Sequence, residues 1–194
     1  MLSSLPLLMH AQDKLPFSIS AAIGYPLSFG SNSLELSGPV LAYDVNAQIP
    51  VSGKISAGPS YRAGIYDNDI TYTDENGNDI PDSYASILHH LELLSEYHLK
   101  LDERVHLLFG LAAGYSFIHA TVPAGFPAGG KPKGLHVAPG ITFQYALSGH
   151  VSLLSSAKYT FSRLNSTIDA GGAYAEYNES IHEATLAVGA AYVF

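Results

Sequence analysis

Apolar side chains along this chain recur at every second position, in eight stretches separated by polar and glycine-rich segments. The last stretch is the clearest. From Glu183 to Phe194, one set of alternate positions holds Ala184, Leu186, Val188, Ala190, Tyr192 and Phe194. The other set holds Glu183, Thr185, Ala187, Gly189, Ala191 and Val193. A period of two predicts a β-strand with a different environment on each face. Seven earlier stretches repeat the pattern, at about 17–29, 40–51, 54–66, 86–101, 104–119, 135–147 and 150–164. Phe17, Ile19, Ile23, Tyr25, Leu27 and Phe29 share a face in the first; Val105, Leu107, Phe109, Leu111, Tyr115 and Phe117 do so in the fifth. The fourth is the most polar, and His89 and Ser95 interrupt its apolar face. Pro59 and Pro139 fall mid-strand, where the missing N–H makes them candidate bulges.

The connections alternate in length. Turns at Ser52-Gly53, Asp102-Glu103 and Ser148-Gly149 are short, and the segments near 30–39, 67–85, 120–134 and 165–180 are long. Parity carries across the short turns: Val51 and Ile55, Leu101 and Val105, and Leu147 and Val151 share faces, which predicts three-residue hairpin loops. The second face decides the class. It is rich in Gly, Ala and Ser, a poor surface for water but a good filling for a narrow barrel, since eight strands leave room only for side chains. The apolar face then points to lipid, with aromatics gathered near strand ends as in an interfacial girdle.

Composition supports the lipid assignment. Only 13% of residues are charged, with 18 Gly and 13 Tyr, against about 25% charged in soluble domains. No apolar run approaches the ~20 residues of a membrane-spanning helix. Cysteine is absent, which excludes disulfides and thiolate chemistry. The net charge of −8 argues against nucleic acid as a partner, which calls for a basic patch. Residues 1–12, a short apolar run ending in Ala11-Gln12, are expected to be a signal-peptide remnant, although no Lys or Arg precedes the run.

Strand number, alternating connections and the terminal Phe194 resemble the small eight-stranded outer-membrane proteins of the OmpA/OmpX type. The resemblance covers 17–194 and implies an all-β fold, an eight-stranded antiparallel up-and-down transmembrane β-barrel with short periplasmic turns and longer extracellular loops. It implies a monomer in the outer membrane of a Gram-negative bacterium, in contact with lipid and lipopolysaccharide. The last strand resembles the signature read by the barrel assembly machinery.

Candidate chemistry concentrates on the inner face. Register across the first short turn sets Asp44 opposite Arg62, an expected inward ion pair. His90, Glu92, Glu96, His98 and Lys100 follow on the fourth strand, Arg104 and His106 on the fifth, and His136, Lys158 and Glu183 elsewhere. These groups can form a paired polar plug, an ion or proton path, or a metal site. The plug is favoured because buried charges must pair. His150-Val-Ser152 resembles the His-x-Ser pair of lipid A deacylases, but parity puts both residues on the lumen side beside a short turn, away from lipid.

Two outer segments carry other signals. Asp74, Asn76, Asn78 and Asp82 stand at the spacing of an acidic calcium loop, with Ile80 offering a carbonyl, although Ala85 replaces the closing Glu. Calcium is therefore a candidate ligand, and no other cofactor is expected. Phe126, Lys131 and Lys133 stand in a Gly/Pro-rich loop where lysines could meet lipopolysaccharide. The expected function is non-enzymatic, in envelope integrity or surface interaction. A small low-conductance channel and a lipid-modifying enzyme are the alternatives.

Overall fold

A computed structural model describes residues 17–29, 38–73, 77–120, 131–169 and 174–194. Eight strands form one closed antiparallel barrel in sequence order: β1 Ser18–Phe29, β2 Gly38–Ser52, β3 Ile55–Thr73, β4 Asp79–Lys100, β5 Val105–Ala120, β6 Lys133–Ala146, β7 Val151–Asp169 and β8 Tyr174–Val193. The seam between β1 and β8 runs from Ser18 opposite Val193 to Phe29 opposite His182, and Phe194 N–H donates to the Phe17 carbonyl at 2.9 Å. The expected signal-peptide remnant, residues 1–12, lies outside the described residues. Among the described residues no helix is long and apolar enough to cross a membrane.

The register sets the width of the interior. Followed from Ser20 through Asn46, Ser60, Glu92, Gly114, His136, Ser162 and Ile181, it returns to β1 ten residues further along, one step past the Phe29–His182 pair. That stagger tilts the strands steeply and leaves a core that side chains can fill.

Burial follows the sequence parity. Ile23, Leu93, Leu111, Leu135, Leu186 and Val188 are exposed on the outside, Leu135 at 72%. Asp44, Arg62, His90, Glu92 and Glu183 are buried inside. This inversion suits a hydrocarbon solvent. Aromatics band both ends of the outer face. Phe17 packs on Phe194 at 5.6 Å and Tyr192 on Phe194 at 4.8 Å near the short turns. Toward the long-loop end, His89 stacks on Phe117 at 4.6 Å and hydrogen-bonds Tyr61 Oη through Nδ1 at 2.7 Å. The histidine that interrupts an apolar face therefore keeps one ring nitrogen paired where water is scarce.

Four details depart from the sequence reading. β3 and β4 extend to Thr73 and from Asp79, and β7 and β8 to Asp169 and from Tyr174, so much of the expected 67–85 and 165–180 loops is paired strand. Ile70-Thr-Tyr-Thr73 has the β-branched and aromatic content that sustains such a hairpin, and Gly77, at φ 81°, takes a left-handed conformation that favours glycine near its tip. Secondly, Ser52 faces Ile55 across a two-residue Gly53-Lys54 turn, because the register shifts between Pro50 and Ser52. The other two short turns close as expected, with Leu101 N–H to Val105 O and Leu147 N–H to Val151 O, each at 2.9 Å. Thirdly, the register runs through Pro59 and Pro139 unshifted; both point outward, and the irregularities sit at Pro39/Leu41 and Pro50/Ser52. Lastly, the inner face is less polar than its Gly/Ala/Ser content suggests, with Leu88, Leu94, Leu108, Ile118, Leu164 and Ile181 buried within it.

Close strand approach makes one inward glycine indispensable. A Cβ on Gly114 would stand 1.9 Å from the Leu91 carbonyl oxygen and 2.6 Å from Glu92 Cα. The expected outcome for Gly114→Val is loss of the compact, heat-modifiable species on an unboiled detergent gel after refolding. The wild type should shift on boiling, and an unchanged shift in the variant would contradict the packing described.

Candidate functional site

The site is the column of side chains inside the barrel. Alternation along each strand lifts successive inward residues by one two-residue step, so neighbouring strands build layers. Starting from the long-loop end, the first layer is apolar: Tyr66, Leu88, Ile118, Leu164 and Ile181 pack as one buried cluster. The next step inward is polar on four of the five strands, and on β3 Gly64 separates Tyr66 from Arg62. Leu88 is followed by His90, Ile181 by Glu183, while Ser116 and Ser162 precede Ile118 and Leu164.

Arg62 is the hub of that second layer. It is 1% exposed. Its Nη1 lies 3.3 Å from Glu183 Oε1, and its Nη2 lies 4.0 Å from Glu92 Oε2 while donating to Thr160 Oγ1 at 2.5 Å. Glu183 also accepts from Tyr66 Oη and, at 3.1 Å, from Thr185 Oγ1. Glu92 accepts from Ser60 Oγ at 2.9 Å and shares a 2.9 Å hydrogen bond with His136 Nε2. Lys158 pairs with Asp44 and stands 3.9 Å from Glu92 Oε1.

The expected Asp44–Arg62 ion pair is therefore replaced. The two residues do face each other in register, but each turns to a partner on another strand: Asp44 to Lys158 and Arg62 to Glu183 and Glu92. In a barrel this narrow, side chains reach across the lumen as readily as across one strand gap. Arg62 thereby serves two carboxylates, and Lys158 neutralises Asp44.

Ser116 Oγ lies 2.8 Å from His90 Nδ1 and 2.9 Å from His136 Nδ1. With Glu92 on the far side of His136, hydroxyl, imidazole and carboxylate stand in line, as in hydrolytic triads. Ser116 is fully buried beneath the apolar cap, and neither it nor His136 lines the cavity below. His90 Nε2 alone in this line has no hydrogen-bond partner, and it sits 3.9 Å from Glu183.

Below this layer the barrel opens. A cavity of about 570 Å³ lies between the Asp44–Lys158 pair and the short turns, with Asn46, Gln48, Glu96, His98 and His106 on its wall. His98 Nε2 shares a 2.8 Å hydrogen bond with Ser56 Oγ. Lys100 reaches only the rim and is exposed. Arg104 is exposed in the turn and does not line the cavity, so it leaves the expected lumen set. His150 is likewise exposed in its turn, stacked on Tyr192 at 5.8 Å, whereas Ser152 points inward and accepts from Gln144 Nε2 at 2.9 Å. The strand alternation that parity assumes does not hold in a turn.

Of the candidate calcium ligands, Asp74 and Asn76 lie outside the described residues. Asn78 directly precedes β4, and Asp82 belongs to that strand, its backbone opposite Ile70. Among the described residues no group of three or more His, Asp or Glu is placed to hold a metal ion. Tyr66, Ser116, Thr160 and Ser162 are members of the site that the charge-centred reading missed. Parity alone would have found them, since each shares the inward face with a charged residue already identified.

No protein-family model matches the chain, and no curated protein matches it in sequence. Solved structures do. Neisserial surface protein A is similar with a TM-score of 0.61 at 13% identity, over 92% of this chain and 97% of that one. Ail, the attachment invasion locus protein of Yersinia pestis, solved with the heparin analogue sucrose octasulfate, gives 0.57 at 13% identity, over 92% and 98%. The outer-membrane protein OprG of Pseudomonas aeruginosa gives 0.55 at 12% identity, over 92% and 95%. The chain thus has the fold of the small eight-stranded outer-membrane barrels.

Arg62→Ala should destabilise the barrel by about 3–5 kcal/mol, because it leaves the buried Glu183 without its arginine. Arg62→Met combined with Glu183→Gln should recover part of that loss. Urea unfolding in lipid vesicles measures both, and additive losses would mean that the two residues are not coupled.

Proposed function

We propose that this protein is a non-enzymatic integral barrel of the outer membrane of a Gram-negative bacterium, acting at the cell surface by engaging the anionic lipid of the outer leaflet. The observation that carries this reading is a basic patch on the outer wall. Lys131, Lys133 and Arg163 are all exposed toward the long-loop end of β6 and β7. Lys133 stands opposite Phe117 and Asn165, and Arg163 opposite Leu135, one step away on the same face. Exposed His119 flanks them on β5. Among the described residues none of the three cations forms an ion pair. Three of the chain's nine Lys and Arg thus gather in one place on a protein of net charge −8. The apolar belt of Leu135, Val137 and Phe161 lies directly below, which sets the cations at headgroup height. Arginine and lysine there suit the phosphates of lipopolysaccharide.

The interior supports a surface role over a conduit. The apolar cap and the Arg62 layer fill the upper lumen, so conduction would require those ion pairs to rearrange. Two outward histidines take tyrosine hydroxyls as their hydrogen-bond partners, His89 with Tyr61 and His182 with Tyr159. Monomeric insertion through the barrel assembly machinery fits this reading.

Lys133→Ala combined with Arg163→Ala should leave the heat shift intact but lower the thermal stabilisation that lipopolysaccharide confers in vesicles, by about 1 kcal/mol per charge removed. Neutral phosphatidylcholine vesicles should show no difference. Equal stabilisation of variant and wild type by lipopolysaccharide would remove the patch from the function. In planar bilayers the wild type should give no steady conductance; well-resolved openings altered by Glu92→Gln would favour the channel instead.

A further inference from the structure

We propose that the buried line Glu92–His136–Ser116–His90 is a proton-binding site: it holds one proton more than two neutral imidazoles carry, and release of that proton reverses its hydrogen bonds. The inference concerns the interior and does not rest on the surface patch.

Donor and acceptor counting leaves two arrangements. Ser116 Oγ has one hydrogen to donate, and it meets an Nδ1 on either side, His90 at 2.8 Å and His136 at 2.9 Å. It donates to one ring and accepts from the other; Ser162 Oγ, at 3.3 Å, is the longest of its three contacts. His136 Nε2 lies 2.9 Å from Glu92 Oε2, so beside an ionised carboxylate that nitrogen carries a hydrogen in both arrangements. In the first, His90 Nδ1 donates to Ser116 and Ser116 donates to His136 Nδ1. Both rings are then neutral, and His90 Nε2 holds a bare lone pair 3.9 Å from Glu183 Oε1. In the second, His136 Nδ1 donates to Ser116, Ser116 donates to His90 Nδ1, and the hydrogen of His90 sits on Nε2. The second holds one more proton, with His136 an imidazolium between Glu92 and Ser116. The protons balance: one arriving at His90 Nε2 sends the Nδ1 hydrogen of that ring to Ser116 Oγ, and the serine passes its own to His136 Nδ1.

Two separate observations select the second arrangement. His90 is fully buried, and its Nε2 has no hydrogen-bond partner. A bare nitrogen beside the Glu183 carboxylate is repelled, whereas an N–H there is attracted. Charge is the other observation. Arg62 and Lys158 are two cations set among three carboxylates, Asp44, Glu92 and Glu183. One imidazolium makes the count three against three. The side chains of Arg62, His90, Glu92, His136 and Glu183 are at most 1% exposed, and an unmatched charge at that depth is costly.

The surroundings add nothing that changes the count. Tyr66 on β3 spends its hydroxyl on Glu183, and His89 on β4 faces outward with Tyr61. Among the described residues β1, β5 and β6 bring no further titratable side chain to this layer; His106 on β5 lines the cavity below. Glu96 also stands below, on the cavity wall with Lys54 and Lys100. The two rings pack edge to face with centroids 4.9 Å apart, so both arrangements fit the same side-chain positions. Release of the proton returns the lone pair of His90 Nε2 to Glu183 and leaves one carboxylate in excess. The ion-pair layer that closes the upper lumen is thereby tied to proton occupancy.

The test is magnetic resonance of the ring nitrogens in the refolded full chain in detergent, with isotope-labelled histidine and signals assigned through His90→Gln and His136→Gln. Near neutral pH, His136 should carry hydrogen on both nitrogens and His90 on Nε2 alone. On raising the pH the two rings should change together, His136 to its Nε2–H form and His90 to its Nδ1–H form. Glu92→Gln, checked for an intact heat shift, removes one carboxylate from the count and should show that neutral pattern already near neutral pH. A wild-type His136 with a single hydrogen near neutral pH would overturn the assignment, as would a His90 that keeps one tautomer while His136 titrates. Retention of both hydrogens on His136 in Glu92→Gln would also overturn it, because the proton would not answer to the carboxylate count.

Discussion

In hydrocarbon no water is available to satisfy a backbone N–H or carbonyl, and each one left bare costs several kcal/mol. The β1–β8 seam is the answer this chain gives to that constraint. Once Ser18 meets Val193 and Phe29 meets His182, the spanning strands have neighbours on both sides. Closure of eight strands with a ten-residue stagger then fixes the bore. Everything inside must fit a space with no freedom to widen, which is why Gly114 tolerates no Cβ and why Ser, Ala and Gly recur on the inner face.

A fixed bore also dictates how charge is handled. Arg62 cannot reach water, so it is surrounded: Glu183 on β8, Glu92 on β4 and Thr160 on β7 converge on it from three strands. Such a node ties non-adjacent staves together through the interior, in addition to the backbone ladder around the wall. Its geometry depends on the apolar cap above. Tyr66 belongs to both, packing with Leu88 and Ile118 while its hydroxyl donates to Glu183. Excluding water from the Arg62 layer strengthens each ion pair there and raises the cost of disrupting any one.

Parity made the barrel legible in the sequence. Period two, the matched faces across Leu101/Val105 and Leu147/Val151, and the short–long alternation follow from chain geometry alone, and each survives in the structure. Parity also assigned Asp44, Arg62, His90, Glu92 and Glu183 to the lumen. It does not say who pairs with whom, because the pairing partner of Arg62 comes from β8 across the bore. It fails where strand geometry ends, as Arg104 and His150 show by lying exposed in turns. It was blind to Leu88 and Leu164 for another reason. In β4 apolar residues occupy both faces around Leu88, and in β7 Leu164 turns inward between outward Arg163 and Asn165, so the alternation that marks inside from outside is lost there.

The two ends of the interior are built to opposite specifications. Toward the long-loop end the bore is closed twice, by aliphatic packing and by an ion-pair layer whose carboxylates are matched. Toward the short turns the same bore holds an open cavity, beside which the buried amide atoms of Gln48 have no partner. If the lumen existed only to be filled, small-to-large substitutions at Ser18, Ser20 and Ser56 would complete the packing as they do above. Their small size instead keeps this volume open. The exterior shows the complementary asymmetry, with unpaired cations set above an apolar belt near the long-loop end. The closed upper lumen separates the cavity from the long-loop end of the barrel.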